Sequence, residues 1–382
     1  MAKSHDVIIA GLGAMGSAAA FHLAQRGMRV LGFDRFAPPH TLGSSHGKAR
    51  IIREAYFEDP AYVPIVQRAY QLWGELEGAA RTTLLLKTGG LMIGRPDSEL
   101  IAGAALSAQQ HALEHEVLSS EEVSRRFPCL TPAADMIAVY EPRAGILLPE
   151  ACVRAHLVLA QLHGAQVHTY EPLLSWTADG TGVSVETQRA TYNAGYLVIC
   201  AGPWTRQLLG DLEPPLSVER QVQFWFDPTG GRASFSPARC PVHLWQFEDR
   251  QFIYGCPDLG EGVKVARHHG GVSGSPDHLN READAAEIAD MRSLLRRFLP
   301  SADGAFRSAA VCLYTNTPDG HFWIDRHPAH ANVLIASPCC GHGFKFAAVV
   351  GEILADLATH RSGSFDLSLF KTRWPLRARA AG

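Results

Sequence analysis

The stretch over residues 7–16 constrains the fold of this chain more than any other. It consists of an apolar run, Val-Ile-Ile-Ala, followed by Gly-Leu-Gly-Ala-Met-Gly. This order is typical of a strand, a tight turn and a helix start in a dinucleotide-binding unit. Gly11 permits the sharp turn, Gly13 leaves room for a pyrophosphate beside the main chain, and Gly16 allows the helix to pack closely on the strand. The helix would then present free N–H groups and its positive dipole end to the phosphates.

The residues that follow complete such a unit. Residues 14–26 are rich in helix formers, Gly27 suits the position just past a helix end, and residues 28–33 are predicted as a second strand. Asp34 comes next, about 20 residues beyond the glycines, where a carboxylate can accept hydrogen bonds from ribose hydroxyls. An acidic residue at this position favours an unphosphorylated ribose, hence FAD or NAD over NADP. The motif by itself leaves both FAD and NAD open.

Composition excludes several classes of function. The 382 residues carry a formal net charge of −3, and charges of both signs are mixed along the chain, so neither a nucleic acid nor an anionic membrane is an expected partner. Neither a signal peptide nor a membrane span is indicated, and we expect a cytosolic protein. The eight cysteines include no CxxC pair, so neither a disulfide framework nor a zinc site is predicted. No other metal is expected.

The chain is predicted to fold as an α/β protein, α+β overall, with two discontinuous domains. Buried-strand signals at residues 196–202 and 332–336 extend the glycine-rich unit into a Rossmann-like domain. Residues 217–226 and 242–257 are dense in β-branched and aromatic side chains and predict the mixed or antiparallel sheet of a second, substrate-binding domain. The first domain is expected to comprise residues 1–84, 145–214 and 318–382, and the second residues 85–144 and 215–317.

Periodicity predicts further elements. Apolar residues at helical spacing indicate helices over residues 62–76, 97–111, 149–162, 282–299 and 344–359. Residues 137–140 and 145–148 are predicted as a pair of strands at the end of the section formed by residues 83–149.

A long polar loop follows Asp34. It contains Gly43-Ser44-Ser45-His46-Gly47 and two arginines, Arg50 and Arg53, which are three residues apart. Long ordered loops in compact domains are often functional. Small residues permit a ligand to approach the backbone, and the arginines could share one face of a helical turn. A solvated basic turn is the alternative interpretation of the two arginines.

A set of short stretches in one order covers essentially the whole chain: Gly11-Leu12-Gly13-Ala14-Met15-Gly16, Gly43-Ser44-Ser45-His46-Gly47, Arg50-Ile51-Ile52-Arg53, Tyr254-Gly255, Lys264, Val311-Cys312-Leu313-Tyr314-Thr315, Pro318-Asp319 and Gly341-His342-Gly343-Phe344-Lys345. This set resembles the monomeric sarcosine oxidase and N-methyltryptophan oxidase family of flavoprotein amine oxidases. The resemblance implies that the dinucleotide is FAD and that the first domain is the FAD-binding domain.

The resemblance also implies a covalent flavin. In that family the 8α-methyl carbon of FAD is attached to the cysteine that corresponds to Cys312, which should then lie at the edge of the flavin ring. A buried strand cysteine is the alternative interpretation. The residues expected to contact FAD are Gly11, Gly13, Ala14, Met15, Gly16, Asp34, Arg35, Ser44, Ser45, His46, Arg50, Val167, Ala201, Gly202, Trp204, Cys312, Gly341, His342, Gly343, Phe344 and Lys345.

Cationic residues acquire roles through the same resemblance. The pair that holds the substrate carboxylate in that family corresponds to Arg53 and Lys345. The guanidinium of Arg53 can donate two parallel hydrogen bonds to a carboxylate, and Lys345 adds a compact positive charge. Arg50 matches a residue over one flavin face, and Lys264 matches the residue that activates oxygen near N5, where an ammonium favours developing negative charge. The helix start at residues 343–345 would direct its positive end towards the reduced flavin.

The amine pocket is expected to include three further residues. Tyr254, His268 and Tyr314 match positions on the substrate side, and a histidine there can change charge near neutral pH. Trp245 stands where the sarcosine enzymes carry a flexible methionine, so a bulky indole is expected to reshape the pocket.

The implied activity is the oxidation of secondary amino acids, N-methylated or cyclic. The uncharged amine loses a hydride equivalent to flavin N5, dioxygen is reduced to hydrogen peroxide, and water hydrolyses the imine, with formaldehyde released from N-methyl substrates. The expected partners are this small substrate and dioxygen, and the protein is expected to be a monomer. Alternatives are a nicotinamide dehydrogenase, a flavin dehydrogenase with another acceptor, and a catalytically silent flavin-binding protein. Cys312 and Lys264 argue against the silent protein, because binding alone requires neither.

Overall fold

The computed structural model describes residues 5–209, 212–374 and 377–378. The strands in chain order are β1 (His5–Ala10), β2 (Val30–Phe33), β3 (Arg50–Ile52), β4 (Leu85–Lys87), β5 (Gly90–Gly94), β6 (Glu116–Ser119), β7 (Ile137–Glu141), β8 (Gly145–Leu147), β9 (Gln166–His168), β10 (Leu173–Ala178), β11 (Val183–Thr187), β12 (Thr191–Ile199), β13 (Leu212–Glu213), β14 (Ser217–Phe226), β15 (Val242–Glu248), β16 (Gln251–Cys256), β17 (Val263–His268), β18 (Phe306–Asn316), β19 (Trp323–His327), β20 (His330–Ser337) and β21 (Arg377–Ala378). The α-helices are α1 (Ala14–Gln25), α2 (Val63–Ala80), α3 (Glu99–Gln110), α4 (Ser120–Arg126), α5 (Pro149–Leu162), α6 (Thr205–Leu208), α7 (Ala285–Phe298) and α8 (Ala347–Ala358).

The first sheet has a parallel centre in the order β9-β2-β1-β12-β20. Its central strands are buried on both faces, which explains why β1 is continuously apolar from Val7 to Ala10. Helix α1 packs against α5 and α8 on one side of this sheet, and the antiparallel meander β10-β11-β12 extends its edge. The Rossmann-like arrangement predicted from the glycines is therefore present, and ligands of such sheets bind beyond the carboxyl ends of the strands.

The second sheet has the order β18-β14-β17-β16-β15-β5-β7-β6. Its pairs are antiparallel except for β15 and β5, which are parallel, so the sheet is mixed. One face packs against α7 through an apolar cluster that includes Leu294 and Phe298. Because side chains alternate along a strand, the other face is left for residues such as Gln223, Tyr254 and Cys312, and it forms a wall of the main cavity.

A small third sheet, β3-β8-β4, corrects one prediction. The expected two-strand feature does not form, because β7 pairs with β5 and β6 in the second sheet whereas β8 pairs with β3 and β4. The backbone crosses between sheets at Gly145, where an added Cβ would lie 2.2 Å from the carbonyl oxygen of Leu86. This sheet places β3, and with it Arg50, beside the main cavity.

The predicted helices are present with small shifts at their ends, and α5 has the predicted bounds. The helix expected from residue 344 begins with a 3₁₀ turn, Phe344–Phe346, before α8. Just before this turn the backbone of Gly343 passes close to that of Pro338, and only a glycine fits there, because an added Cβ would lie 1.6 Å from the carbonyl oxygen of Pro338. Among the described residues, none of the helices combines the length and the apolar character that crossing a membrane requires. The division into two domains stays a prediction.

Candidate functional site

An elongated cavity of about 530 Å³ brings most of the predicted site residues together. Gly11, Gly13 and Asp34 line one end of it, and Cys312 and Lys345 line the other. The predicted residues on its walls are Gly11, Gly13, Ala14, Met15, Asp34, Arg35, Ser44, Ser45, Arg50, Arg53, Ala201, Gly202, Trp204, Tyr254, His268, Cys312, Tyr314, Gly341, His342, Gly343, Phe344 and Lys345.

The glycines act at the nucleotide end through close backbone approach. Gly11 has a φ of +90°, and an added Cβ would lie 2.5 Å from the carbonyl oxygen of Cys200. Gly16 lies behind the cavity, where an added Cβ would lie 1.8 Å from the carbonyl oxygen of Gly11. Gly11 therefore forms the turn and Gly16 allows the close helix–strand contact, as the spacing of the glycines predicts.

Asp34 organises the same end of the cavity. Its carboxylate accepts hydrogen bonds from the backbone N–H groups of Leu12 and Phe36, each at 2.8 Å. A carboxylate has about four lone-pair sites, so acceptor capacity remains on the cavity side for ribose hydroxyls. Arg35 and Trp204 flank this end and both bind the Asp277 carboxylate, at 2.9 Å each.

Cys312 lies at the other end, in the middle of β18 and 2% exposed. Its Sγ is 3.3 Å from Nη2 of Arg50 and 3.4 Å from the carbonyl oxygen of Ser44. Arg50 donates to this sulfur, and the thiol donates in turn to the Ser44 carbonyl oxygen. The sulfur therefore lies on the cavity wall with its position fixed by two contacts.

The residues present fit FAD. The nucleotide end is a glycine cradle that Cβ atoms would fill. At the other end, the described residues provide no hydrogen-bond partner for the buried Oε1 of Gln223, a cavity-lining side chain. A buried acceptor without a partner is costly, so a ligand with a donor group is expected opposite it. The glycines and the Cys312–Arg50 pair would hold the two ends of the cofactor.

Arg53 and Lys345 lie together in the part of the cavity next to the loop after β3. Arg53 Nη2 donates to both carboxylate oxygens of Glu58, at 2.9 and 2.7 Å. Lys345 Nζ donates to the carbonyl oxygen of His342 at 2.7 Å and lies 3.5 Å from the Tyr56 hydroxyl. Both cations are buried. Burial, followed by the charge of Arg53, lowers the pKa of Lys345 to about 7.

Glu141 supports the Arg53 loop from outside the cavity. Its two carboxylate oxygens accept hydrogen bonds from the backbone N–H groups of Glu54 and Ala55, each at 2.7 Å. Burial raises the pKa of Glu141 to about 7, although the two backbone donors oppose this shift. The carboxylate therefore fixes the backbone directly after Arg53.

Lys264 does not line the main cavity. Its Nζ donates to the carbonyl oxygens of Gly47 and Ala49, at 2.8 and 2.7 Å, and the side chain is 1% exposed. Burial and the nearby charge of Arg50 lower its pKa to about 7. Tyr254, which does line the cavity, has its ring centroid 5.9 Å from this Nζ. Lys264 therefore lies behind the cavity wall, next to Tyr254.

His268, which is half-buried, and Tyr314, which is buried, form a pair on the cavity wall, with Nδ1 3.2 Å from the hydroxyl oxygen. Burial, together with the charges of His269, His342, Lys345 and Arg53, holds the pKa of His268 well below its ordinary value. This lowered pKa favours the neutral imidazole near neutral pH and does not favour the charge change expected from the sequence.

The prediction that Trp245 contacts the substrate is also wrong. Its side chain is fully buried on the other face of the second sheet, where its ring centroid is 5.1 Å from that of Phe298. Its Nε1 donates to Nδ1 of His243 at 2.8 Å. The neighbouring Leu244 lines the cavity instead, because successive side chains of β15 point to opposite faces.

Besides Gly16, two more residues predicted to contact FAD lie off the cavity wall. His46 is buried behind it, where burial and the charge of Arg50 lower its pKa to about 3. Val167 pairs with Gly32 inside the first sheet, and Val153 and Leu173 line the cavity instead. Both predictions came from the resemblance alone, without a local pattern to test them.

Three acidic residues and one amide were missed. Glu58 and Gln223 line the cavity, whereas Glu141 and Glu150 support its loops. Glu58 follows Arg53 by a few residues, and Gln223 interrupts an apolar strand, so both carried a weak signal. Glu141 and Glu150 carried none, since their partners are backbone N–H groups distant in sequence.

Comparisons with known proteins agree with this geometry. A family model described as FAD dependent oxidoreductase matches residues 6–357. The chain is 46% identical over 377 residues to the monomeric sarcosine oxidase of Streptomyces avermitilis, covering 98% of each chain. It is 35% identical over 369 residues to the N-methyl-L-tryptophan oxidase of Salmonella heidelberg, covering 96% of this chain and 98% of that protein. The open form of NikD, an amino acid oxidase essential for nikkomycin biosynthesis, matches with a TM-score of 0.85 at 24% identity, covering 99% of each chain.

Proposed function

Because the chain belongs to the FAD-dependent oxidoreductases, and within them to the monomeric sarcosine oxidase and N-methyltryptophan oxidase family, we propose that it is an FAD-dependent oxidase of secondary amino acids. The proposed substrates are N-methyl or cyclic amino acids. When bound, FAD supplies the redox chemistry: it takes a hydride equivalent from the carbon beside nitrogen and passes the electrons to dioxygen, which leaves as hydrogen peroxide. Water then hydrolyses the imine, and N-methyl substrates release formaldehyde.

The observation that carries this proposal is the charge balance around Arg53. Two buried cations, Arg53 and Lys345, line the cavity together with one half-buried carboxylate, Glu58, which pairs with Arg53. Burial opposes ionisation of Glu58, but the charges of Arg53, His342 and Lys345 outweigh it and hold its pKa below the ordinary value. Below a pH of about 7, where Lys345 carries its ammonium, the group has an excess of one positive charge in a water-poor site, which suits one substrate carboxylate.

The same surroundings prepare the amine. A protonated secondary amine has no free lone pair, so the neutral form must be the reacting one. Desolvation and the nearby cations Arg50, Arg53 and Lys345 all disfavour an ammonium in the cavity. The neutral pair of His268 and Tyr314 can accept or donate a hydrogen bond to this nitrogen without adding charge.

Two finer features belong to the same proposal. We propose that Cys312 holds the flavin through a thioether, with Arg50 fixing the position of the sulfur through its hydrogen bond. We also propose that the protein is cytosolic, since its free and mostly buried cysteines suit a reducing compartment. The proposal that it is a monomer rests on the monomeric sarcosine oxidases to which it is similar.

A substrate panel tests the activity. Sarcosine, other N-methyl amino acids, L-pipecolate, L-proline and glycine are each added to the flavin-loaded protein, with hydrogen peroxide and oxygen consumption as readouts. We expect peroxide with one or more secondary amino acids and little with glycine. Absence of peroxide and oxygen uptake across the panel would contradict the proposal, and reduction of an artificial acceptor without oxygen uptake would favour a dehydrogenase.

Acid precipitation tests the covalent link. The yellow colour is expected to stay with the denatured native protein and to leave with the supernatant in Cys312→Ser. Cys152→Ser is the matched control, because Cys152 is equally buried and lies in α5 away from the cavity wall. Flavin released entirely from the native protein would exclude the link.

A further inference from the structure

Three side chains on the wall at the nucleotide end of the main cavity share one carboxylate. Asp277 accepts hydrogen bonds from Nε1 of Trp204 at 2.9 Å and from Nε2 of Gln207 at 3.1 Å, and it forms an ion pair of 2.9 Å with Arg35. Arg35, Trp204 and Gln207 line the cavity, whereas Asp277 does not. One acidic side chain outside the wall therefore connects three side chains that belong to it.

The wall side chains also contact one another. The guanidinium carbon of Arg35 lies 5.5 Å from the ring centroids of both Phe36 and Trp204, and these two rings are 5.5 Å apart in an edge-to-face arrangement. Burial opposes ionisation of Asp277, but hydrogen bonds from Trp204 and Gln207 and the charge of Arg35 outweigh it and hold the pKa of this carboxyl below its ordinary value. The carboxylate is therefore charged near neutral pH, and it fixes Arg35 against the two rings.

Asp277 comes from a different part of the fold than its partners. It lies in the connection between β17 and α7, next to the second sheet, whereas its three partners follow β2 and β12 of the first sheet. Two contacts attach this connection to β14: the Glu219 carboxylate accepts the N–H group of Gly271 at 2.7 Å, and Arg220 Nε donates to the carbonyl oxygen of Asn280 at 2.7 Å. Asp277 lies between these two attachment points, so its position is fixed relative to the second sheet.

We propose that Asp277 is a positioning residue for the cofactor: by holding Arg35, Trp204 and Gln207 in place, it slows the release of FAD that is not covalently attached. This inference rests on FAD as the cofactor of the proposed function and on no assumption about the substrate. A single ion pair at a protein surface contributes little, but three contacts to one carboxylate fix three wall side chains at once. Related binding sites differ mostly in their dissociation rates, so release is the step on which we expect the effect.

The rate of FAD release tests the proposal without any turnover. Cys312→Ser is the background, because no thioether can form in it, and the FAD-loaded protein is diluted while the fluorescence of released FAD is recorded. Asp277→Ala is expected to raise the release rate by about tenfold, equivalent to about 1.4 kcal/mol in the barrier, and Asp277→Asn, which keeps one acceptor oxygen, by about threefold. Release rates within about twofold of the background in both variants would overturn the proposal.

Asp290→Ala is the matched control. Asp290 accepts from Nε and Nη2 of Arg267 at 2.8 and 2.9 Å, and its side chain is 50% exposed, compared with 32% for Asp277. It lies in α7, and neither Asp290 nor Arg267 lines the cavity. Its loss should change FAD release by less than about twofold. If Asp290→Ala accelerated release as much as Asp277→Ala, the loss of any nearby ion pair would suffice and Asp277 would have no special role.

A double-mutant cycle tests whether Asp277 acts through the wall. Trp204→Phe keeps an aromatic ring but removes the Nε1 donor that binds Asp277. Two residues that act through one contact have coupled effects, so Asp277→Ala should accelerate release by about threefold in the Trp204→Phe background and not by about tenfold. An undiminished effect in that background would contradict the positioning role.

The outcomes separate this proposal from the proposed function. FAD release is measured without substrate, so a protein that oxidises no amino acid of the panel contradicts the oxidase function and leaves the release experiment unaffected. Unchanged release in folded Asp277 variants overturns the role of Asp277 and leaves the oxidase function in place.

Discussion

The two ends of the main cavity are built in different ways. The nucleotide end depends on a short segment, in which Gly11 and Gly16 allow close backbone contact and Asp34 accepts neighbouring N–H groups. The reaction end has three cationic side chains on its wall, Arg50 and Arg53 from one segment and Lys345 from another, and Lys264 lies behind that wall. Binding a dinucleotide depends on a backbone shape that lets the cofactor approach closely, whereas binding and oxidising an amino acid depends on charged side chains that are shielded from water.

This difference has an energetic side. The groups at the nucleotide end are satisfied by the backbone and add little strain. Burying cations costs free energy unless each has a partner, and Lys345 and Lys264 have mostly carbonyl oxygens as partners. Their lowered pKa values record that cost. The reaction end should therefore be sensitive to charge and the nucleotide end to volume.

The largest effect is expected from Arg53→Met at the reaction end. It removes the guanidinium that is proposed to bind the substrate carboxylate and leaves the half-buried Glu58 without its ion-pair partner, so binding should lose about 2–5 kcal/mol. We expect KM for the best substrate of the panel to rise accordingly, measured by oxygen uptake. The double variant Arg53→Met with Glu58→Gln is the control: it should recover thermal stability but not substrate binding. Full recovery of binding would show that Arg53 does not hold the carboxylate.

Gly11→Ala tests the nucleotide end by adding a single methyl group without any change of charge. The added Cβ would meet the carbonyl oxygen of Cys200 in a left-handed conformation, so we expect a loss of about 1–3 kcal/mol in stability and a lower flavin content. Gly74→Ala is the matched control, because Gly74 lies in α2 and an added Cβ there has no atom within 4 Å. That change should raise stability by about 0.5–1 kcal/mol. Equal effects of the two substitutions would contradict the assigned role of Gly11.

The pH dependence of carboxylate binding sharpens the comparison. The pKa of Lys345 is about 7 in the folded protein, so its ammonium is present below that pH and is lost above it. A simple carboxylate without an amine, such as propionate, stays ionised throughout, so its affinity should fall by up to about tenfold for each pH unit above 7. Flavin absorbance titrations measure this. Lys345→Met should bind weakly at pH 6 and show a flat profile, and a native-like slope in that variant would exclude Lys345 as its cause.

The smallest effect is expected from Trp245→Phe. Trp245 lies in the apolar cluster behind the second sheet and not on the cavity wall, so KM should change by less than about twofold. Loss of its hydrogen bond to His243 should lower stability by about 1 kcal/mol. Leu244→Ala, one residue earlier and on the cavity wall, should change KM more while both proteins stay folded. A larger change of KM in Trp245→Phe than in Leu244→Ala would show that Trp245, and not Leu244, contacts the substrate.

The sequence was sufficient for the parts of the protein that depend on local order. The glycine spacing, the apolar run of β1 and the helix periodicities predicted the first sheet and its helices, because backbone turns and helix faces follow from neighbouring residues. The ordered motifs also predicted the flavoprotein amine oxidase family, and the relatives confirm it. The FAD cofactor follows from the same comparison.

The tertiary structure decided what depends on long-range register. A shift of one residue along β15 exchanges the cavity face for the core face, which is why Leu244 and not Trp245 meets the cavity. The partners of Arg53 and Lys264 also could not be predicted: Glu58 and the carbonyl oxygens of Gly47 and Ala49 become neighbours only when separate loops pack together. Local patterns carry no information about such contacts, because their geometry is set by how distant segments share one buried space.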